Sequence, residues 1–122
     1  MSDVTATAPT RLAIVGPNGR MGAALIGLAT DDPDTIVAAR IIPPGEQGGV
    51  LLANVDPKLV DVLIDFSHCE AAAGHAAWCQ QHGIAWVLGT TGLSPADDNA
   101  VLAAAAHTIV FQASNFSLGV AL

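Results

Sequence analysis

Apolar positions in this chain come in short blocks separated by stretches of helical spacing. The blocks "RLAIVG" (11–16), "TIVAARII" (35–42), "DVLIDF" (61–66), "IAWVLG" (84–89) and "TIVFQA" (108–113) read as buried strands. "RMGAALIGLAT" (20–30) reads as a helix with Met21, Leu25 and Leu28 near one face, and "DDPD" (31–34) breaks it. "CEAAAGHAAWCQQHG" (69–83) is a second helix, with Gly83 as its stop. "SPADDNAVLAAAAH" (94–107) is a third, with Ser94 as N-cap, Pro95 in the first turn and Asp97 near the start. Residues 43–60 fit neither period: "PPGEQGG" is a loop, and "VLLANVDPKLV" holds a short strand or a single turn. The first ten residues read as a loose polar tail, and 11–122 as one domain. Continuous apolar strands alternating with helices predict an α/β fold, a parallel sheet of five or six strands covered on both faces.

Composition sharpens this picture. Hydrophobic residues make up 52% of the 122 but aromatics only 4%, so the core must be built from Ala, Val, Leu and Ile. The formal net charge is -7, and the only Lys and Arg are Arg11, Arg20, Arg40 and Lys58. That excludes a broad basic footprint for nucleic acid, and any bound anion must be held mainly by backbone N–H groups and one or two arginines. No run is long enough to span a bilayer, and no secretory signal precedes Cys69 and Cys79. A cytoplasmic chain with free thiols is expected.

The candidate chemistry gathers where strands end. "GPNGRMG" (16–22) follows the first strand and opens the first helix. In an open parallel sheet that edge is where ligands bind. Gly16 allows a sharp exit from the strand, Asn18 sits in the turn, and Gly19 lets a phosphate approach the backbone. Gly22 lets the helix lie close to the sheet. The helix N-terminus offers unpaired N–H groups, which suit a pyrophosphate. The acid expected after the second strand, for an adenosine ribose, is missing: that end reads "AARIIPPG". Arg40 can instead meet a 2′-phosphate, or equally lie inside the strand and point elsewhere. Three further strand ends carry "DFSH" (65–68), "GTTG" (89–92) and "ASNFS" (113–117). Gly89 and Gly92 allow close approach of a flat ligand, Thr90 and Thr91 offer hydroxyls, and Phe66 and Phe116 offer apolar surface. Asn115 can pin a carboxamide, while Ser67 is equally placed to cap the following helix. His75, Cys79 and His82 recur at i, i+4 and i+7, but one helix rarely supplies three ligands to one ion, so no metal is expected. His68 stands on a turn, where it can touch a cofactor phosphate or simply face solvent. Asp65 can serve as a general base, but more often such a carboxylate accepts turn or cap N–H groups. Trp78 and Trp86 read as packing residues.

With "GPNGRMG", "DFSH", "GTTG" and "SNFSLGV" in this order, the chain resembles the dihydrodipicolinate reductase family from about Arg11 to Leu122. The resemblance implies a Rossmann-like, doubly wound domain holding NADH or NADPH for reduction of a cyclic dicarboxylate in diaminopimelate and lysine synthesis. By motif position it places Gly16, Gly19, Arg20 and Met21 on the pyrophosphate, with Asn18 also on the cofactor, and Phe66 and Ser67 beside the adenosine and phosphate. Gly89 and Thr91 fall near the nicotinamide, Thr91 also toward the substrate, and Ser114, Asn115 and Phe116 close the nicotinamide pocket. Departures are Cys69 where the family usually has proline, Ser114 where it has proline or alanine, and Ala121 where asparagine is common. The family's His-His pair, its D-A-P-S-G-T run and its tetramer sheet lie beyond Leu122, as in a partial sequence, so the chain alone is not expected to turn over. Two other readings fit the same turn: a nucleotide-binding or interaction module, and a small non-redox enzyme using the same pocket.

Overall fold

The computed structural model describes residues 8–16, 18–66, 69–89 and 93–112. Among the described residues five strands form one sheet: β1 (Thr10–Val15), β2 (Thr35–Ile41), β3 (Val62–Asp65), β4 (Ala85–Leu88) and β5 (Val110–Gln112). All pairings are parallel and the order is β2-β1-β3-β4-β5. The chain thus winds outward in one direction from β1 to β2, then crosses back to β3. That reversal opens a crevice between the carboxyl ends of β1 and β3.

Alternation along β1 explains the two layers. Leu12 and Ile14 face α1 (Arg20–Asp31), packing with Leu25, Ile26 and Ala29. Ala13 and Val15 face the larger core, where α2 (Ala72–His82) and α3 (Pro95–Ala105) contribute Ala76, Cys79, Val101 and Ala104. Trp86, Leu63 and Leu88 are fully buried there. Each such side chain contributes roughly 1.5–3 kcal/mol by leaving water. Small residues on α2 and α3 let both helices lie close together and against the sheet.

The apolar stripe of α1 differs from the expected one. Met21 is 41% and Leu28 70% exposed, whereas Gly22 and Ala29 are buried. The helix approaches the sheet through its smallest residues, and the long ones overhang the edge of the contact.

Helix ends follow their capping residues. Gly83 ends α2 in the left-handed region, at φ 66°, which glycine adopts without cost. At α3 the Ser94 Oγ accepts from the Asp97 N–H at 3.1 Å, and Asp97 Oδ2 accepts from the Ser94 N–H at 3.0 Å. This reciprocal pair satisfies two end donors at once.

Residues 43–60 resolve into a loop and two single 3-10 turns, Leu52–Asn54 and Pro57–Leu59. Val50 forms an isolated parallel bridge with Ile41, a one-residue rudiment of a further strand outside β2. Asp61 then anchors the entry to β3 through a two-pronged ion pair with Arg11, whose Nη2 lies 2.8 Å from Oδ1 and whose Nε lies 3.1 Å from Oδ2. Residues 1–7 lie outside the described residues. Among the described residues no helix is long and apolar enough to cross a membrane.

Candidate functional site

The turn after β1 is built around Gly16, whose φ of 81° is open to glycine and strained for any other residue. Its N–H donates to the Ile41 carbonyl at 3.2 Å, and its own carbonyl accepts from the Gly19 N–H at 3.2 Å. The chain therefore doubles back at once and enters α1. Gly19, at the N-cap, has an ordinary extended backbone, and a Cβ there would make only ordinary contact with the Gly16 carbonyl at 3.5 Å. Internal packing does not demand glycine at this position, but the residue lines a cleft, and a bare backbone there leaves room for a ligand. No side chain caps α1 and no acid stands in its first turn, in contrast to α3. Its first N–H groups and positive end are left facing outward.

The cleft has a volume of about 930 Å³. It opens at the switch point between β1 and β3, in the size range of cofactor sites. Gly16, Asn18 and Gly19 form its floor, and Ile41 through Pro44 with Leu51 and Leu52 form one apolar wall. Phe66, Glu70 and Ala71 before α2, and Gly74 and His75 in its first turns form the other.

The wall after β2 is more ordered than a generic loop. In Pro43-Pro44-Gly45-Glu46 the Glu46 N–H donates to the Pro43 carbonyl at 3.2 Å, and Gly45 has φ 93°. Proline followed by a positive-φ glycine is the signature of a type II turn. Asn18 Nδ2 then donates to the Gln47 carbonyl at 2.9 Å and to Glu46 Oε1 at 3.3 Å, tying this loop to the glycine turn. At Gly49 a Cβ would fall 2.3 Å from the Arg40 carbonyl oxygen, so only glycine lets the loop close back onto β2.

Behind the cleft, Asp65 is fully buried. Its Oδ2 accepts from Trp86 Nε1 at 3.1 Å and lies 2.7 Å from His75 Nδ1. The sequence suggested a carboxylate serving turn or cap N–H groups. Its side-chain contacts also place it inside the core, holding the ring of a cleft-lining histidine. Burial, reinforced by the Asp65 charge, pushes the Cys79 thiol up to about 12. The helical row His75, Cys79 and His82 is dispersed: His75 pairs with Asp65, Cys79 is buried, and His82 sits edge-on to Trp78 with ring centroids 5.1 Å apart.

Of the residues singled out in the sequence, Gly16, Asn18, Gly19 and Phe66 come together on the cleft. Arg20 and Met21 occupy the exposed first turn of α1, next to the lining but not part of it. Gly89 lies at the end of β4, its N–H donating to the Asp65 carbonyl at 2.9 Å. Arg40 pairs in register with Ile14, on the α1 side of the sheet, and is not on the cleft. Ser67, Thr91, Ser114, Asn115 and Phe116 lie outside the described residues, as do His68, Thr90 and Gly92. Sequence reasoning missed Glu46 and His75 as cleft residues. For Glu46 the signal was present, since Pro-Pro-Gly-Glu specifies a turn that fixes where the acid points. For His75 it was not, because its partner Asp65 is ten residues away on another element.

The parallel doubly wound sheet, the glycine turn at an uncapped helix and the cleft at the switch point define an α/β domain of the dinucleotide-binding class. The family described as "Dihydrodipicolinate reductase, N-terminus" matches residues 10–116, and the chain belongs to that family. It is 39% identical to the 4-hydroxy-tetrahydrodipicolinate reductase of Thermomicrobium roseum, covering 92% of this chain and 48% of that protein. Against the 4-hydroxy-tetrahydrodipicolinate reductase of Saccharophagus degradans it is 36% identical, covering 93% and 48%. The chain spans about half the length of the curated relatives it matches. A solved structure, dipicolinate-bound dihydrodipicolinate reductase from Paenisporosarcina sp. TG-14, shares the fold with a TM-score of 0.75 at 22% identity, over 91% of this chain and 49% of that one.

Proposed function

We propose that this chain binds NADH or NADPH in the cleft as the cofactor-holding half of a cytoplasmic 4-hydroxy-tetrahydrodipicolinate reductase, in diaminopimelate and lysine biosynthesis. The observation that carries this reading is the uncapped N-terminus of α1, opening through Gly16 and Gly19 onto the cleft. In a chain of net charge -7, backbone N–H groups, with Arg20 beside them, are the main means of holding a pyrophosphate. Asn18, Arg20 and Met21 complete that turn. Phe66 and Ser67 would meet the adenosine side, and Gly89 and Thr91 the nicotinamide and the substrate. Ser114, Asn115 and Phe116 would close the nicotinamide pocket. When bound, the cofactor supplies a hydride to a cyclic imine.

A dicarboxylate substrate needs cations. No Lys or Arg lines the cleft among the described residues. The chain therefore supplies the cofactor site and little of the substrate site, and turnover by the 122 residues alone should be far below that of a complete reductase. Calorimetric titration of NADH and NADPH into the chain and into Gly19→Asp tests the proposal. Binding by the wild type should weaken tenfold or more, on the order of one lost charge-assisted hydrogen bond, when a carboxylate enters the turn. No binding of either dinucleotide by a folded wild-type chain would overturn it.

A further inference from the structure

In doubly wound nucleotide folds, a carboxylate at the end of the second strand accepts from the adenosine ribose beside the glycine turn. Here that strand ends Arg40-Ile41-Ile42, with no acid. The loop that follows instead brings a carboxylate, Glu46, onto the cleft lining beside the glycine turn. We infer, on the basis of the nicotinamide reading above, that Glu46 is the ribose-binding group and sets a preference for NADH over NADPH.

Three independent features support this. The first is position: Glu46 lines the cleft, and its Oε1 lies 3.3 Å from Asn18 Nδ2 in the glycine turn itself. With Oε1 held from behind, Oε2 is available to accept from ribose hydroxyls.

The second feature is order. The Pro43–Glu46 turn fixes the backbone, and Asn18 holds the next carbonyl, Gln47, at 2.9 Å. The base of the loop is closed by the Ile42 N–H to the Val50 carbonyl at 2.9 Å and the Val50 N–H to the Arg40 carbonyl at 2.8 Å. Gly48 sits at φ 95°, a conformation strained for other residues, with its Cβ position 3.4 Å from Asn18 Oδ1. A loop built only to connect β2 to the following turns would not need ties to residue 18.

The third feature is charge. A 2′-phosphate in this corner would face Glu46, with no Lys or Arg on the cleft lining among the described residues. Arg40, the cation nearest in sequence, stands on the α1 side of the sheet. The other cleft acid, Glu70, belongs to the opposite wall, before α2. A ribose hydroxyl would be a donor to Glu46, whereas a phosphate would be repelled.

The experiment is a titration of NADH and NADPH into the wild-type chain, Glu46→Gln and Glu46→Arg, with Gly19→Asp alongside and circular dichroism to confirm folding. The wild type should prefer NADH. Glu46→Gln should weaken NADH about tenfold, the loss of one hydrogen bond to a charged acceptor, and leave NADPH unchanged or tighter. Glu46→Arg should move the preference to NADPH. If the wild type binds NADH, Gly19→Asp abolishes binding and Glu46→Gln changes nothing, the assignment of Glu46 falls and the nicotinamide reading stands. A wild type that prefers NADPH overturns the assignment in the same way. If neither dinucleotide binds the folded wild type, both fall together.

Discussion

A carboxylate with no solvent exposure must find its partners inside the protein, and Asp65 finds Trp86 and His75. Replacing it with alanine would leave a buried indole N–H and a cleft-wall imidazole without their acceptor, at a cost of roughly 2–4 kcal/mol. Chemical denaturation of Asp65→Ala should show that loss, and a change under 1 kcal/mol would mean the network is dispensable. The neighbouring Cys79 gives a second residue-scale expectation. Its thiol is raised from 9.0 to about 12 in the fold, so the unfolded chain ionises first as pH rises. Its contribution is present below about pH 9 and is lost between 9 and 12. A thiol reagent at neutral pH should therefore modify Cys79 only as fast as the protein opens, and immediate modification in the native state would contradict its burial. Neither Asp65 nor Cys79 could be read from its own surroundings in the sequence. Their partners are tertiary, and local pattern carries no record of them.

At the scale of elements, the chain was most legible where one short stretch sets the outcome. Ser94 with Asp97, Gly83 as a helix stop, and five apolar runs as strands all rest on local chemistry. Ser94→Ala should cost about 1 kcal/mol of stability, measured by thermal or urea unfolding, because the Asp97 N–H loses its Oγ acceptor. Period alone misjudged the face of α1, since it marks where apolar residues recur but not how closely the helix approaches. The short Gly22 and Ala29 decide that approach, and Met21 and Leu28 are left outside. The entry to β3 depends on a tie that spans fifty residues, Arg11 to Asp61. The hydrogen bonds from Arg11 hold the Asp61 carboxyl down to about 2. Its stabilising effect is thus complete above the ordinary carboxylate pKa of 3.8 and is lost as pH falls toward 2. Asp61→Asn should lose part of the acid-side slope of stability seen in the wild type, while an identical slope would show that this exposed pair contributes nothing.

For the whole molecule, strand order matters more than any single motif. Because the chain reverses between β2 and β3, the glycine turn, the tethered Glu46 loop and Phe66 converge on one cleft. The alternation of strands and helices made this architecture readable in the sequence. The cleft was readable only in part, because the Asn18 clamp joins residues nearly thirty apart and follows from no periodicity. The most direct test of the central claim is an amide NMR titration of the 122-residue chain with NADH. The account predicts that the largest shifts fall on Gly16 and Asn18 through Gly22, with Glu46 to Gly49 and Phe66 moving at the same ligand concentrations. Shifts confined to α3 and β5, or no shifts at all, would contradict it.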